Sequence, residues 1–137
     1  FGHMDKFAFA NNVTAAGHGT LAPNRGTCSS YNTATTGYVA GGRHAPNPTF
    51  VADIDKFSFA SNTTSTDCGN LSSNRAYMGG GGSGEAYGYS MGGGTDPGHG
   101  SGPTNVIEKQ QFSNDTTIQN IGTLTVSSQL MVTVNQI

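Results

Sequence analysis

The sequence predicts an all-β protein built from repeated antiparallel units of about four strands each. Three observations carry this prediction. A motif returns at intervals of about fifty residues, apolar and polar residues alternate with period two inside it, and 21 of the 137 residues are Gly. Because no segment places apolar residues at i, i+3, i+4 and i+7, essentially no helix is expected.

The repeat is clearest in its opening segment, where residues 4–12 return as 54–62 and, more weakly, as 107–115. Three further motifs keep the same register: Gly-x-Leu, Asn-Arg and Gly-Tyr-x-x-Gly-Gly. They occupy residues 19–21, 69–71 and 122–124, then 24–25 and 74–75, then 37–42 and 88–93. In the third copy, Ser127 and Ser128 stand where Asn-Arg is expected.

The chain is predicted to be one domain divided into three repeats. Repeat 1 spans residues 4–53, repeat 2 spans 54–106, and 107–137 form a truncated repeat 3. Residues 1–3, before Met4, are interpreted as the remnant of a cloning tag. Counting strands along the repeats indicates that the chain starts at the third strand of a unit.

Each unit is expected to contain four strands. Phe57 and Phe59 alternate with Lys56 and Ser58, which is typical of a strand with one buried face; Phe7 and Phe9 follow the same pattern in repeat 1. A Thr-rich second strand ends at Gly-x-Leu, a third begins just after each Arg, and Gly-Tyr-x-x-Gly-Gly forms the fourth. Residues 43–49 and 94–105 are predicted to be long loops, and the Gly-rich run 79–84 a flexible hairpin turn.

The composition excludes several classes of partner. The formal charge is −2 and only 10% of the residues are charged, so no basic field exists to attract nucleic acid. No run of 18 or more apolar residues occurs, so no membrane-spanning segment is predicted. The cellular location stays unknown at this level.

A unit of about fifty residues with an alternating strand, a downstream Arg and a closing Gly-Gly resembles the kelch repeat of β-propellers. The matching residues are Arg25 and Arg75, Tyr38 and Tyr89, Gly41 and Gly42, and Gly92 and Gly93. The match covers nearly the whole chain. Kelch repeats usually carry a Trp in the segment that corresponds to residues 14–16 and 64–66, and this chain has none, so it resembles a divergent branch. The repeats are also similar to tandem repeats in uncharacterised proteins of marine phages and environmental sequences.

The resemblance implies kelch-like propeller blades, about 2.5 per chain, in a ring that oligomerisation completes. An incomplete ring exposes two blade faces, which favours association. A two-fold homodimer is the simplest closure and a trimer the next. The competing interpretation is that the chain is an excised piece of a longer repeat protein.

Both cysteines occupy positions where other repeats tolerate apolar residues. The counterparts are Met78 and Met131 for Cys28, and His18 and Ile121 for Cys68. Each Cys is therefore expected to be a buried, reduced, small hydrophobe rather than a nucleophile or a ligand. A Cys28–Cys68 disulfide stays open, since it needs Cα atoms within about 7 Å.

The recurrent charges are interpreted as structural. Asp55 and Lys56 are neighbours on a strand and so face opposite sides; each is expected to pair across strands or with another unit. The same holds for their counterparts in the other repeats. Arg25 and Arg75 are expected to donate hydrogen bonds to carbonyls or carboxylates of neighbouring units.

No catalytic residue, metal ligand or cofactor site is predicted, because the chain lacks paired Cys or His spacings and a nucleophile motif before a helix. The protein is accordingly not expected to be an enzyme. For ligand binding the candidates are residues of the two long loops: Arg43, His44, Asp96 and His99. A shared metal site formed by His44 and His99 is the less favoured interpretation; both are expected to be solvated loop residues.

The predicted function is a non-catalytic binding and assembly module. Its loops would recognise a protein or a glycan, for example in a phage fibre or an extracellular surface protein. The tyrosines are the available aromatic platforms for sugars: Tyr31, Tyr38, Tyr77, Tyr87 and Tyr89. Two alternatives stay open, an enzyme with an active site at the propeller axis and a purely structural repeat fragment, since the fold does not choose between them.

Overall fold

The computed structural model describes residues 2–8, 10, 13–44, 49–79, 81–95, 102–115 and 118–129. These residues form strands, turns and irregular segments and contain no helix, as the sequence predicts. The strands are β1 (His3–Lys6), β2 (Ala16–Thr20), β3 (Arg25–Gly26), β4 (Ser29–Asn32), β5 (Thr36–His44), β6 (Phe50–Ser58), β7 (Thr66–Asn70), β8 (Gly82–Ser83), β9 (Tyr87–Met91), β10 (Thr104–Gln111) and β11 (Ile118–Ser128).

Within the described part of the chain, the strands make three antiparallel sheets. Sheet 1 pairs β1 with β2. Sheet 2 has the order β3-β5-β6-β7, and β4 continues the edge beside β3 by pairing with β5. Sheet 3 has the order β11-β10-β9-β8.

Each of the two larger sheets is shared between consecutive sequence repeats. Sheet 2 takes β3, β4 and β5 from repeat 1, and β6 and β7 from repeat 2. Sheet 3 takes β8 and β9 from repeat 2, and β10 and β11 from repeat 3. Backbone hydrogen bonds of the sheets therefore tie successive repeats together, in addition to any side-chain packing.

The strand register repeats together with the sequence. In each sheet the first strand of the repeat motif shifts register at the same point, directly after its apolar residue, and that residue pairs with the Gly of the Gly-x-Leu motif. The pairs are Met4 with Gly19, Ile54 with Gly69, and Ile107 with Gly122. An irregularity that recurs at equivalent positions is a feature of the unit, and β-bulges of this kind increase strand twist.

The double glycine of the repeat adopts a conformation that side chains disfavour. Gly41 and Gly42 have φ of 61° and 115°, and Gly92 and Gly93 have φ of 60° and 95°. A Cβ on Gly42 would lie 2.5 Å from Cys28 Sγ. On Gly93 it would lie 2.5 Å from the side chain of the equivalent Met78, so the backbone both turns and packs closely here.

The same glycines donate backbone hydrogen bonds to the repeat that follows their own. The N–H of Gly42 donates to the carbonyl of Arg75 at 2.7 Å, and the N–H of Gly93 donates to the carbonyl of Ser128 at 2.8 Å. Ser128 thus keeps the backbone role of the repeated Arg while lacking its side chain.

A buried ion pair joins repeat 1 to repeat 2, and a second joins repeat 2 to repeat 3. Arg25 Nη2 is 2.9 Å from Asp55 Oδ2, and the Arg75 guanidinium contacts the Glu108 carboxylate; all four side chains are essentially inaccessible to solvent. Arg25 also donates to the Val39 carbonyl at 3.1 Å. The predicted carbonyl and carboxylate partners are therefore confirmed. Each carboxylate belongs to the repeat that follows its arginine: Asp55 lies in repeat 2 and Glu108 in repeat 3.

Burial acts on both members of these pairs. Burial raises the pKa of Asp55, and the Arg25 charge opposes that rise; burial also lowers the pKa of Arg75, while Glu108 opposes it. The Glu108 carboxylate further accepts a hydrogen bond from the N–H of Ser72 at 3.0 Å. Each charge thus depends on a specific set of partners in a buried region.

The core lies between sheets 2 and 3. Its buried members are Tyr31, Tyr38, Ala40, Ile54, Cys68, Leu71 and Met78. Phe112 and Ile118 of the third repeat pack against them. The Tyr31 ring lies directly on Gly88 of β9, where a Cβ would have no room, and its hydroxyl donates to Gln110 Oε1 at 2.7 Å. Glycine at this position lets two sheets approach closely.

Three sequence predictions of loops need correction. Arg43 and His44 belong to β5, because they pair with Gly26 and Arg25 of β3. Thr104 and Asn105 belong to β10. Gly82 and Ser83 form β8 in the run predicted as a flexible turn. The glycines of this run let the backbone approach β4. The carbonyl of Ser30 on β4, for example, leaves no space for a Cβ on Gly81.

Replacing Gly93 by Ala is expected to destabilise the protein by about 2 kcal/mol or more, because the new methyl group meets Met78 and the positive φ is strained. Urea unfolding followed by circular dichroism measures the change. Gly17→Ala is the matched control, since a Cβ there meets nothing within 4 Å, and it should stay within about 0.5 kcal/mol. Equal effects of the two substitutions would show that close packing at Gly93 does not limit stability.

Arg75→Met is expected to cost about 3–5 kcal/mol of unfolding free energy, because Glu108 is left charged and buried without a partner. The double variant Arg75→Met/Glu108→Leu should be less destabilised than the single variant, since no unpaired charge remains. Unfolding curves of the wild type, of the single variants Arg75→Met and Glu108→Leu, and of the double variant form a thermodynamic cycle. Additive losses would show that the pair does not act as a unit.

Candidate functional site

A cavity of about 360 Å³ opens between sheets 2 and 3, at the end of the sheets where β5 begins and β6 ends. Three kinds of side chain line it: hydroxyl groups, aromatic rings and one pair of opposite charges. They are Thr36, Ser58, Thr63, Thr64 and Thr66; Tyr38 and Phe112; and Lys56 and Asp115. Phe57 also borders the cavity, with its ring on the opposite face of β6 against His18.

Strand alternation places these side chains together. Thr36 and Tyr38 are two residues apart on β5, and Lys56 and Ser58 are two apart on β6, so each pair projects from the same face of sheet 2. Tyr38 is directly opposite Lys56 in the register. The turn after β10 then brings the side chains of repeat 3 over this face, which closes the cavity on its second side.

The charges at the cavity are paired across the two sheets. The Lys56 ammonium contacts Asp115 Oδ2, and the Tyr38 hydroxyl donates to Asp115 Oδ1 at 3.1 Å. The hydrogen bond with Asp115 raises the pKa of Lys56, and burial raises the pKa of Tyr38, so both keep their protons at neutral pH. Asp115 thereby holds a cationic and a neutral donor from sheet 2.

Aromatic packing fixes the wall of the cavity. The Tyr38 and Phe112 rings are stacked with centroids 5.1 Å apart; Tyr31 is stacked on Tyr38 at 5.5 Å and lies 6.3 Å from Phe112. Such contacts between rings leave little freedom for Tyr38. The hydroxyl of Tyr38 is therefore presented to Asp115 by a rigid element.

A smaller groove of about 70 Å³ occupies the equivalent place on sheet 3. Its lining residues are the counterparts of four residues of the large cavity: Tyr87 for Thr36, Lys109 for Lys56, Gln111 for Ser58, and Gln119 for Thr66. Lys109 lies 4.4 Å from the centroid of the Tyr87 ring. Among the described residues, no counterparts of Phe112 and Asp115 line this groove.

The outer face of sheet 3 is the second notable feature. The sheet 2 residues buried beneath sheet 3 include Tyr38, Ala40, Ile54, Cys68 and Leu71. By register, their counterparts in sheet 3 are Tyr89, Met91, Ile107, Ile121 and Leu124. The counterparts are half-buried or exposed, and 47% of Ile121 is accessible. An apolar face that is covered in one sheet is thus open in the next.

The residues predicted for ligand binding lie elsewhere. Arg43 and His44 end β5, at the opposite end of that strand from Thr36 and the cavity. Asp96 and His99 fall outside the described residues. Recognition by the long loops therefore stays a prediction.

The sequence analysis named Tyr38 among the aromatic platforms for sugars, but it did not predict that Tyr38 meets Lys56 and Asp115. The sequence assigned Lys56 to structural pairing, and the structure confirms that it pairs with another unit. One available signal was Asp115 itself, because the other repeats carry Asn12 and Asn62 at this position. Asn62 contacts His18 of the preceding sheet at 2.8 Å, so the equivalent turns reach back to the preceding sheet while the chemistry differs.

Both cysteines are free in the structure, and Cys68 is buried in the core. Burial raises the pKa of each thiol to about 11. The reduced state of both cysteines stays a prediction. Cys28 is only partly buried, against the expectation that both would be fully buried.

No protein-family model matches this chain, and a search of curated proteins finds no match. Among the residues placed by the structure, no cluster of His, Cys, Asp and Glu side chains is arranged to hold a metal ion. No helix in that part of the chain is long and apolar enough to cross a membrane. The function is therefore inferred from the geometry of the sheets and the cavity.

Alkylation by iodoacetamide at pH 8 should be roughly 10²-fold slower in the native protein than in guanidinium, because a pKa of about 11 leaves very little thiolate. Intact mass spectrometry over time measures the rates. Cys28→Ser and Cys68→Ser variants separate the two thiols, and Cys68 should be the slower. Native rates equal to those of the unfolded chain would contradict the burial of both groups.

Proposed function

We propose that this chain is a non-catalytic binding and assembly module whose sheets are blades of a kelch-like β-propeller. About 2.5 blades per chain are then continued by identical chains, which close one ring. A homodimer is the simplest closed arrangement and a trimer the next. The proposal combines the kelch resemblance of the repeats with the way in which the sheets bury one another.

The single observation that carries the proposal is the open face of sheet 3. It repeats, position by position, the face by which sheet 2 packs under sheet 3. Ile121 is 47% exposed on it, where the equivalent Cys68 is 8% exposed. Contiguous apolar surface of this kind favours association.

Sheet 1, which lies at the other end of the row of sheets, offers the surface that would pack on the open face of sheet 3. In sheet 3, Gln110 faces sheet 2 and contacts Tyr31 there. Phe7 occupies the equivalent position in repeat 1, as Phe57 does in repeat 2. Phe7 is 57% exposed. A second copy would set its sheet 1 against the open face of sheet 3, which is a head-to-tail contact. Contacts of this type generate closed rings when the rotation per copy closes.

Size-exclusion chromatography with light scattering is expected to give a discrete dimer, or else a trimer. Ile121→Asp should weaken self-association at least tenfold, because a carboxylate is then buried in an apolar contact. Thr125→Asp is the control: Thr125 is exposed and follows Leu124, so it faces the other side of β11.

Ring closure requires two results from these measurements. The wild-type chain must associate to a defined mass, and the control must associate as the wild type does. A wild-type monomer at all concentrations would overturn ring closure. Equal dissociation by Ile121→Asp and Thr125→Asp would show that the open face of sheet 3 is not the contact.

A further inference from the structure

The cavity between sheets 2 and 3 combines hydroxyl groups, aromatic rings and a neutralised charge pair. We propose that it binds a neutral, hydroxyl-rich ligand, namely a saccharide of one or two sugar units. The inference rests on the proposed binding function and adds the class of ligand. Its site is not in the long loops but between two sheets.

The charge balance of the cavity favours an uncharged ligand. Lys56 and Asp115 are the charged residues in the lining, and they are paired with each other. A phosphate or carboxylate would have to compete with Asp115 for the ammonium and would lie close to a carboxylate of like charge. A hydroxyl group can instead accept a hydrogen bond from Lys56 and donate one to Asp115 without breaking the pair.

The remaining lining suits the two kinds of surface on a sugar ring. Hydroxyl side chains such as Thr36, Ser58 and Thr66 both donate and accept hydrogen bonds, as the edge of a sugar requires. The ring of Phe112 offers apolar surface to the C–H groups of a sugar. Binding pockets commonly combine aromatic walls with a few polar groups that fix orientation.

The size of the cavity limits the ligand. Its volume of about 360 Å³ lies near the lower end of the range of ligand pockets, roughly 300–1,000 Å³. The equivalent groove on sheet 3 has about 70 Å³, so it is too small for a sugar ring. One saccharide site per chain is therefore expected.

The test is a titration of the ¹⁵N-labelled full chain with glucose, cellobiose, lactose and N,N′-diacetylchitobiose, to about 20 mM each, followed by amide chemical shifts. Glucose 6-phosphate and glucuronic acid are the charged comparators. At least one neutral sugar is expected to shift signals of Thr66, Lys56 and Phe112, more strongly than the charged comparators do.

Two substitutions locate the site. Thr66→Val removes one hydroxyl at nearly constant shape and should weaken binding about three- to tenfold. Thr125→Val, on an exposed strand position outside the cavity, should leave affinity unchanged. Asp115→Asn introduces the residue type that the other repeats carry in this turn. It should shift the ligand preference towards glucuronic acid, because Lys56 loses its counter-charge.

Three results would each overturn the inference: no shift with any neutral sugar, shifts that Thr66→Val and Asp115→Asn leave unchanged, or stronger binding of the charged comparators by the wild type. The oligomeric mass is measured on the same samples. A defined oligomer without saccharide binding would leave the assembly proposal intact and reject only the ligand class.

Discussion

Two arginines buried without access to solvent hold together strands that come from successive repeats. Arg75 precedes the strands of sheet 3 in the chain; its guanidinium contacts Glu108 on β10, and its carbonyl accepts a hydrogen bond from Gly42 of sheet 2. Arg25 makes the same kind of contact with Asp55. A buried charge without its partner is costly, so each arginine requires the carboxylate of the following repeat to be in place. Formation of one sheet thus depends on the next repeat along the chain.

Sharing of sheets between repeats also explains where the binding surfaces lie. Because the turn after β10 reaches back over sheet 2, Asp115 and Phe112 complete a cavity whose other wall belongs to the preceding repeats. In the described part of the chain, no equivalent turn covers sheet 3, and Lys109 there lines a smaller groove. The cavity and the open face of sheet 3 therefore have one origin, namely a stack of sheets in which each is covered by the next.

Much of the fold was predictable, because the repeat is local in sequence. Alternation predicted the strand at Phe57, and the need for positive φ identified Gly92 and Gly93. The errors lie where strands extend through tertiary pairing. Arg43 and His44 were assigned to a loop, and they lie in a strand because β3 is available to pair with them. The cavity was missed for a related reason, since Asp115 and Lys56 are distant in the chain and meet only when sheet 3 packs on sheet 2.

The amino-acid sequence by itself determined the period of the repeat, the all-β character and the residue types of the buried ion pairs. These follow from spacing and alternation, which act over a few residues of one strand. Only the tertiary structure decided which carboxylates Arg25 and Arg75 contact, that Cys68 is in the core while the equivalent Ile121 is exposed, and that a lined cavity exists. Equivalent residues receive the same local structure, but their burial depends on whether another sheet follows.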